Sequence, residues 1–163
     1  WTGRTPDMDP MEATKAAAPT IARPAFDEVF LAFASKLAER ATCHRLRVGC
    51  VITSDDHREV YGFGYNGTAD GLPHGCDSPT PGACGCVHAE DGAVSKCKAS
   101  RRDPKIVYCT HLPCVACAKR FINLGGVQRV VYLHDYRIRH SLALFEARGI
   151  TVERYEGPGV FGG

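Results

Sequence analysis

Lys105 to His134 reads KIVYCTHLPCVACAKRFINLGGVQRVVYLH and changes its periodicity twice. Lys105 to Thr110 (KIVYCT) is a β-rich run, Cys114 to Leu124 has the pattern of a helix that stops at Gly125-Gly126, and Gln128 to His134 (QRVVYLH) is β-rich again. Strand, helix and strand in succession make a β-α-β crossover, the unit that places two strands parallel. Downstream, Ile138 to Arg148 supplies another helix closed by Gly149, and Ile150 to Arg154 a last strand. Upstream, Val87 to Cys97 (VHAEDGAVSKC) reads as a helix. Val48 to Thr53 and Glu59 to Gly64 read as two strands joined by the turn Ser54-Asp55-Asp56-His57, which together form a hairpin. Phe26, Val29, Phe30, Phe33, Leu37 and Ala41 recur at helical spacing, making Ala25 to Ala41 an amphipathic first helix. The expected architecture is α/β: one mixed sheet, a hairpin followed by crossovers, with helices on both faces.

Outside this domain, set at residues 25–156, the pattern fades. Residues 1–24 contain Pro6, Pro10, Pro19 and Pro24 and an alanine cluster without sustained period, the composition of a flexible leader. Residues 157–163 are expected to form a flexible tail. With 163 residues, 44% hydrophobic and 23% charged, the chain is long enough for one real core. No run approaches the roughly 18 apolar residues that span a bilayer, and nothing near the start resembles a signal-peptide core, so the expected compartment is the cytoplasm and no membrane partner is expected. Nine cysteines are an odd number and crowd around metal-ligand patterns, which favours reduced thiols over a disulfide scaffold. A net charge of +2 neither requires nor excludes nucleic acid.

His88-Ala89-Glu90 and Pro113-Cys114-Val115-Ala116-Cys117 carry the chemistry. One imidazole and two thiolates can hold Zn²⁺ tetrahedrally and leave its fourth position to water, and a carboxylate two residues after the histidine can manage protons. Cys114 and Cys117 are three apart, so at the start of a helix both thiolates lie on one face near its positive end, and Pro113 suits such a start. Taken alone, a C-x-x-C also suits redox or structural zinc sites. Joined to His-x-Glu it is the signature of zinc-dependent nucleobase deaminases, in which the glutamate is a proton carrier and not a ligand.

Further motifs widen that likeness. Arg45-Leu46-Arg47-Val48-Gly49, Gly64-Tyr65-Asn66-Gly67, His88-Ala89-Glu90 and Thr110-His111-Leu112-Pro113-Cys114-Val115-Ala116-Cys117-Ala118-Lys119 occur in the order seen in deoxycytidylate (dCMP) deaminases. The chain most resembles the bacterial competence-associated and phage members, over about Phe26 to Glu153. The resemblance implies the cytidine-deaminase-like fold, a three-layer α/β/α arrangement with a five-stranded mixed sheet, commonly assembled into dimers or hexamers. It implies zinc held by His88, Cys114 and Cys117, hydroxide attack at C4 of the base, release of ammonia and formation of dUMP, with Glu90 as the proton shuttle. It places Asn66 on the nucleotide with Tyr65 nearby, and the backbone N–H of Ala89 and carbonyl of Leu112 on the base edge. Read by residue type alone, Asn66 equally suits a turn. Arg45 and Arg47 could meet phosphate, although arginines flanking a strand commonly form a solvated edge. Tyr136 could stack on the nucleotide or pack within the fold. In parts of the family dCTP activates and dTTP inhibits, so both are candidate effectors.

One position departs from the pattern. Family members usually place Asn-Ala after the residue following His-Ala-Glu, whereas Asp91-Gly92-Ala93 stands here. Glycine cannot replace an amide's hydrogen bonds, which opens the substrate to a modified deoxycytidylate or a free (deoxy)cytidine as well as dCMP. A tRNA or single-stranded DNA substrate fits less well, because the chain lacks an aromatic-basic stripe. A noncatalytic zinc module has no need of Glu90.

A second, structural zinc is expected beside the catalytic one. Cys43 precedes Arg45, and His74, Cys76, Cys84 and Cys86 crowd the Gly- and Pro-rich insertion ahead of His88. Some similar deaminases hold a structural zinc with Cys and His from these two regions, and a long irregular loop with little core gains from such a clamp. The expected ligands are Cys43, Cys76 and Cys84, with His74 or Cys86 as the fourth. Cys50, Cys97 and Cys109 fall in predicted elements and are expected to act as small apolar residues.

Overall fold

The computed structural model describes residues 21–80 and 82–159. The expected leader lies outside them through residue 20, and the expected tail from residue 160 on. The elements are α1 (Phe26–Ala38), β1 (Gly49–Ser54), β2 (Val60–Tyr65), α2 (Ala89–Ser95), β3 (Lys105–His111), α3 (Val115–Leu124), β4 (Val127–His134), α4 (Ser141–Ala147) and β5 (Thr151–Arg154). They form a five-stranded sheet in the order β2-β1-β3-β4-β5. β1 is antiparallel to both β2 and β3, while β3, β4 and β5 run parallel.

Central strands explain the runs that lack alternation. Every residue of β1 and the first six of β3 are buried, because helices cover both faces of the sheet there. Side chains still alternate: Cys50 and Ile52 point to one core and Val51 to the other. On the first face, Ala89 and Ala93 of α2, Ala118 and Phe121 of α3 and Phe145 of α4 pack with Val107, Cys109 and Val130. On the second, Phe30, Leu31, Ala34 and Leu37 of α1 pack with Tyr108, Val131 and Leu133. The result is three layers, α/β/α.

α2 lies unusually close to the sheet, and glycine is the reason. A Cβ on Gly62 would fall on the backbone of Ala93, and one on Gly64 on the backbone of Ala89. The helix therefore rests on the β2 backbone itself, which fixes the height of its first residues above the sheet.

Element ends differ from the sequence expectation where backbone groups are taken by turns. β1 begins at Gly49, because Val48 N–H donates to the Asn66 side chain. Arg40 N–H and Ala41 N–H bond to Leu37 and Ala38, three residues back, so α1 ends in a tightened turn at Ala38 and not at Ala41. Ile150 N–H bonds to Phe145 O and is lost to the ladder, so β5 starts at Thr151. α4 begins at Ser141, three residues later than the pattern suggests. No helix among the described residues is long and apolar enough to cross a membrane. All nine cysteines are free thiols.

Candidate active site

Two helix starts meet at the ends of the central strands. Chain leaving β3 passes Leu112 and Pro113 to Cys114, the N-cap of α3, and Cys117 lies in that helix's first turn. His88 is the N-cap of α2. Nδ1 of His88 stands 3.3 Å from Cys117 Sγ and 3.7 Å from Cys114 Sγ, and the three donor atoms all lie within 4.8 Å of one another. Bonds of about 2.0–2.1 Å to nitrogen and 2.3 Å to sulfur at tetrahedral angles put such donors about 3.6 Å apart, so this set fits Zn²⁺.

Their protonation points the same way. Cys114 is lowered to about 3, first by the Cys117 thiol and then, against burial, by His88. His88 is raised to about 9, chiefly by its bond to Cys114. Cys117 is pushed up, chiefly by the neighbouring Cys114 thiolate and by burial. Negative charge thus concentrates where a dication would compete with protons.

Glu90 follows His88 by two residues and is 5% exposed. Burial raises its carboxyl to about 7, against the downward pull of its own backbone N–H and of His88. A carboxyl in that range can take and return a proton near neutrality. It faces a cavity of about 440 Å³ together with His88 and Cys114.

Of the substrate residues expected from the sequence, Arg45, Asn66, Ala89, Leu112 and Tyr136 line this cavity. Asn66 is buried, and its amide is already engaged: Oδ1 accepts from Val48 N–H at 2.7 Å and Nδ2 donates to Leu46 O at 2.6 Å. It holds the Leu46–Val48 backbone in place and keeps one N–H and one lone pair to spare. Tyr65 and Arg47 border other grooves, Tyr65 beneath the Arg40 guanidinium at 5.8 Å from its ring centre. Gly92 also borders the Tyr65 groove, where a Cβ would meet the Gly64 Cα at 3.5 Å. The departure from the family pattern therefore lies away from the cavity that holds Glu90.

Two parts of the cavity were not assigned from sequence. His111 closes β3 and faces the cavity, lowered to about 4 by burial and then by His134. It sits inside the Thr110–Lys119 motif, but its residue type gave no reason to separate it from a strand end. Gly82 to Cys86 line the cavity as well, although the sequence pointed to Cys84 and Cys86 only as candidates for a structural zinc.

A second donor set adjoins this stretch. The sulfurs of Cys43, Cys76, Cys84 and Cys86 lie within 4.8 Å of one another. Cys86, of the two expected alternatives, is the fourth member; His74 lies outside the group and borders grooves beside Thr42. Burial pushes the Cys43 thiol up, but the backbone N–H groups of Leu46 and Arg45 and the thiols of Cys76 and Cys86 bring it down to about 7.

Comparison with known proteins agrees with this geometry. Residues 24–134 match the family model for the cytidine and deoxycytidylate deaminase zinc-binding region. ComE operon protein 2 of Bacillus subtilis is 35% identical over 82% of this chain and 73% of its own length. The deoxycytidylate deaminase of Schizosaccharomyces pombe is 32% identical over 83% of this chain, which spans only 46% of that protein. The cyanophage S-TIM5 dCMP deaminase, solved in complex with dCMP and dUMP, superposes with a TM-score of 0.71 at 28% identity, covering 83% of this chain and all of the phage chain. Its fold is the open α/β/α sheet described above. By the family match and by these identities, the chain belongs to the cytidine and deoxycytidylate deaminase family.

Proposed function

We propose that the chain deaminates dCMP hydrolytically, giving dUMP and ammonia. The observation that carries this reading is the buried Glu90 carboxyl in one cavity with a His-Cys-Cys donor set that fits zinc. Zinc bound by His88, Cys114 and Cys117 would supply Lewis acidity and a water acidified to near neutrality. Glu90 would accept one proton of that water and pass it to N3 as the C4–O bond forms, then take the second from the C4 hydroxyl and give it to the amino group as the C4–N bond breaks and ammonia leaves. The Ala89 N–H and Leu112 carbonyl are assigned to the base edge, and the spare valences of Asn66 to the sugar. Arg45 is assigned to the phosphate, and Tyr136 to a packing face. His111, lowered to about 4, stays a neutral imidazole at the reaction pH and contributes no repulsion toward a bound cation.

Cys43, Cys76, Cys84 and Cys86 are assigned to a second zinc. Regulation by dCTP and dTTP, assembly into a dimer or hexamer, and a cytoplasmic location complete the proposal, and each follows from the family resemblance. The deciding experiment is ammonia release by zinc-replete protein offered dCMP, CMP, deoxycytidine, dCTP and a cytosine-containing oligonucleotide, with Glu90→Gln as the blank. Preference for dCMP by two orders of magnitude or more is expected. An inert dCMP beside a reactive nucleoside, triphosphate or oligonucleotide would keep the deaminase class and overturn the substrate.

A further inference from the structure

Three separate pieces of chain bring four thiols to one point. Cys43 follows α1, Cys76 lies midway in the insertion between β2 and α2, and Cys84 and Cys86 lie where that insertion returns. Cys76 Sγ is 3.7 Å from Cys43 Sγ and 3.7 Å from Cys86 Sγ. Sulfurs joined in a disulfide stand about 2.05 Å apart. Four thiolates around one zinc at about 2.3 Å stand about 3.8 Å apart, the edge of the tetrahedron. The separation is that of a metal centre. Gly85 makes room for it: its φ is 77°, and a Cβ there would collide with the Asp77 carboxylate. A side chain there would have to displace Asp77 and hold a left-handed backbone that glycine adopts without strain.

This centre also forms part of the cavity wall. Cys43, Cys84 and Cys86 line the cavity beside Arg45, whose guanidinium donates to Pro79 O in the same insertion. Only Val87 separates Cys86 from His88, and its backbone is pinned to Gly67 by two hydrogen bonds, 2.8 and 3.1 Å long. One short strip of chain therefore carries a donor of each centre. Between β2 and α2 the described residues form no helix or strand, and the Gly67–Val87 bridge ties the two ends of the insertion to each other. A loop of that length has little apolar packing to hold a wall in place, so a crosslink must do it.

Resting on the reading that these thiols bind zinc, we infer that the four-cysteine centre is the positioning device of the nucleotide site. Its occupancy holds Arg45 and the Gly82–Cys86 wall against the cavity and so sets affinity for the nucleotide, while proton transfer stays with Glu90. Cys43, Cys76, Cys84 and Cys86 are positioning residues in this scheme and do not touch the reacting atoms.

The test compares the parent protein with Cys84→Ser and Cys84→His. Zinc per chain is measured by elemental analysis, dCMP affinity by equilibrium dialysis in a Glu90→Gln background, and kcat and KM with Glu90 intact. The parent is expected to hold two zincs and Cys84→Ser one. Affinity for dCMP should weaken at least tenfold and KM rise in step, with kcat within threefold. Cys84→His, which restores a ligand, should recover the second zinc and bring affinity to within threefold of the parent. One zinc in the parent would overturn the metal reading and the inference with it. Loss of one zinc from Cys84→Ser with unchanged affinity would overturn the inference alone. Should Cys84→Ser fail to fold, zinc-buffer titration of Cys84→Asp decides the matter: dCMP affinity must rise with the second equivalent of zinc, and saturation at the first overturns the inference.

Discussion

Replacing Glu90 by Gln removes a proton carrier without changing the shape of the cavity. His88, Cys114 and Cys117 are untouched, so zinc content and dCMP affinity should stay near the parent's while kcat falls by about 10³ or more. Elemental analysis beside single-turnover kinetics checks this, and retained turnover would remove Glu90 from the mechanism. Asn66 poses a different question, since its amide bonds to Leu46 and Val48 sit between the sheet and the cavity. Asn66→Ala breaks one buried and one half-buried hydrogen bond and should cost about 2–3 kcal/mol in urea unfolding. Arg45 and Leu46 then lose their anchor, and KM should rise about tenfold. These residues differ in how far they could be read in advance. His88, Glu90, Cys114 and Cys117 were legible because metal chemistry allows few residue types at few spacings. Asn66 was a candidate for the site only by resemblance, and its structural duty was hidden, because the bonds it makes cross 18 and 20 residues of sequence.

At the scale of elements, the packing of α2 on β2 makes a paired prediction. Gly64→Ala drives a methyl group into the backbone of Ala89 and should cost about 3 kcal/mol, with loss of zinc because His88 caps the displaced helix. Gly92→Ala meets only Gly64 Cα, at ordinary contact distance, and replaces glycine inside a helix. It should stabilise by about 0.5–1 kcal/mol. Gly92→Asn restores the usual family residue in a groove away from Glu90, so its KM for dCMP should stay within threefold of the parent. Denaturant midpoints and steady-state kinetics check the three variants, and a stable Gly64→Ala would show that α2 has room to move. All nine elements were foreseeable in type and order, since β-rich runs, helical spacing and glycine stops all agreed. Their ends were not, because Val48 N–H, Ile150 N–H and the turn after α1 are committed to partners that periodicity does not reveal.

Across the whole molecule, one polar cluster ties α1 to the sheet on the face opposite α2, α3 and α4. Arg129 of β4 donates twice to the Asp27 carboxylate of α1, both at 2.7 Å, and also reaches Glu153 of β5. Tyr108 of β3 donates to Asp27 at 3.0 Å, and His57 in the hairpin turn meets the Tyr108 hydroxyl at the same distance. Three strands, the hairpin turn and a helix thus join in one cluster around the Asp27 carboxylate. Its pKa is lowered from the ordinary 3.8, first by the Arg129 hydrogen bond and, against burial, by Tyr108. A carboxyl lowered on folding stabilises the fold above its unfolded pKa and loses that contribution as pH falls through the folded value. Asp27→Asn should therefore cost stability at pH 7, by about 1–2 kcal/mol once the partial exposure of the pair is allowed for. The difference between variant and parent should shrink as pH drops below about 4. Zinc release in acid weakens both proteins alike, so the comparison at each pH isolates the carboxylate. Denaturant titrations of the two proteins from pH 7 to pH 3 measure the gap, and a gap that does not change with pH would mean that Asp27 acts through packing and not through its charge.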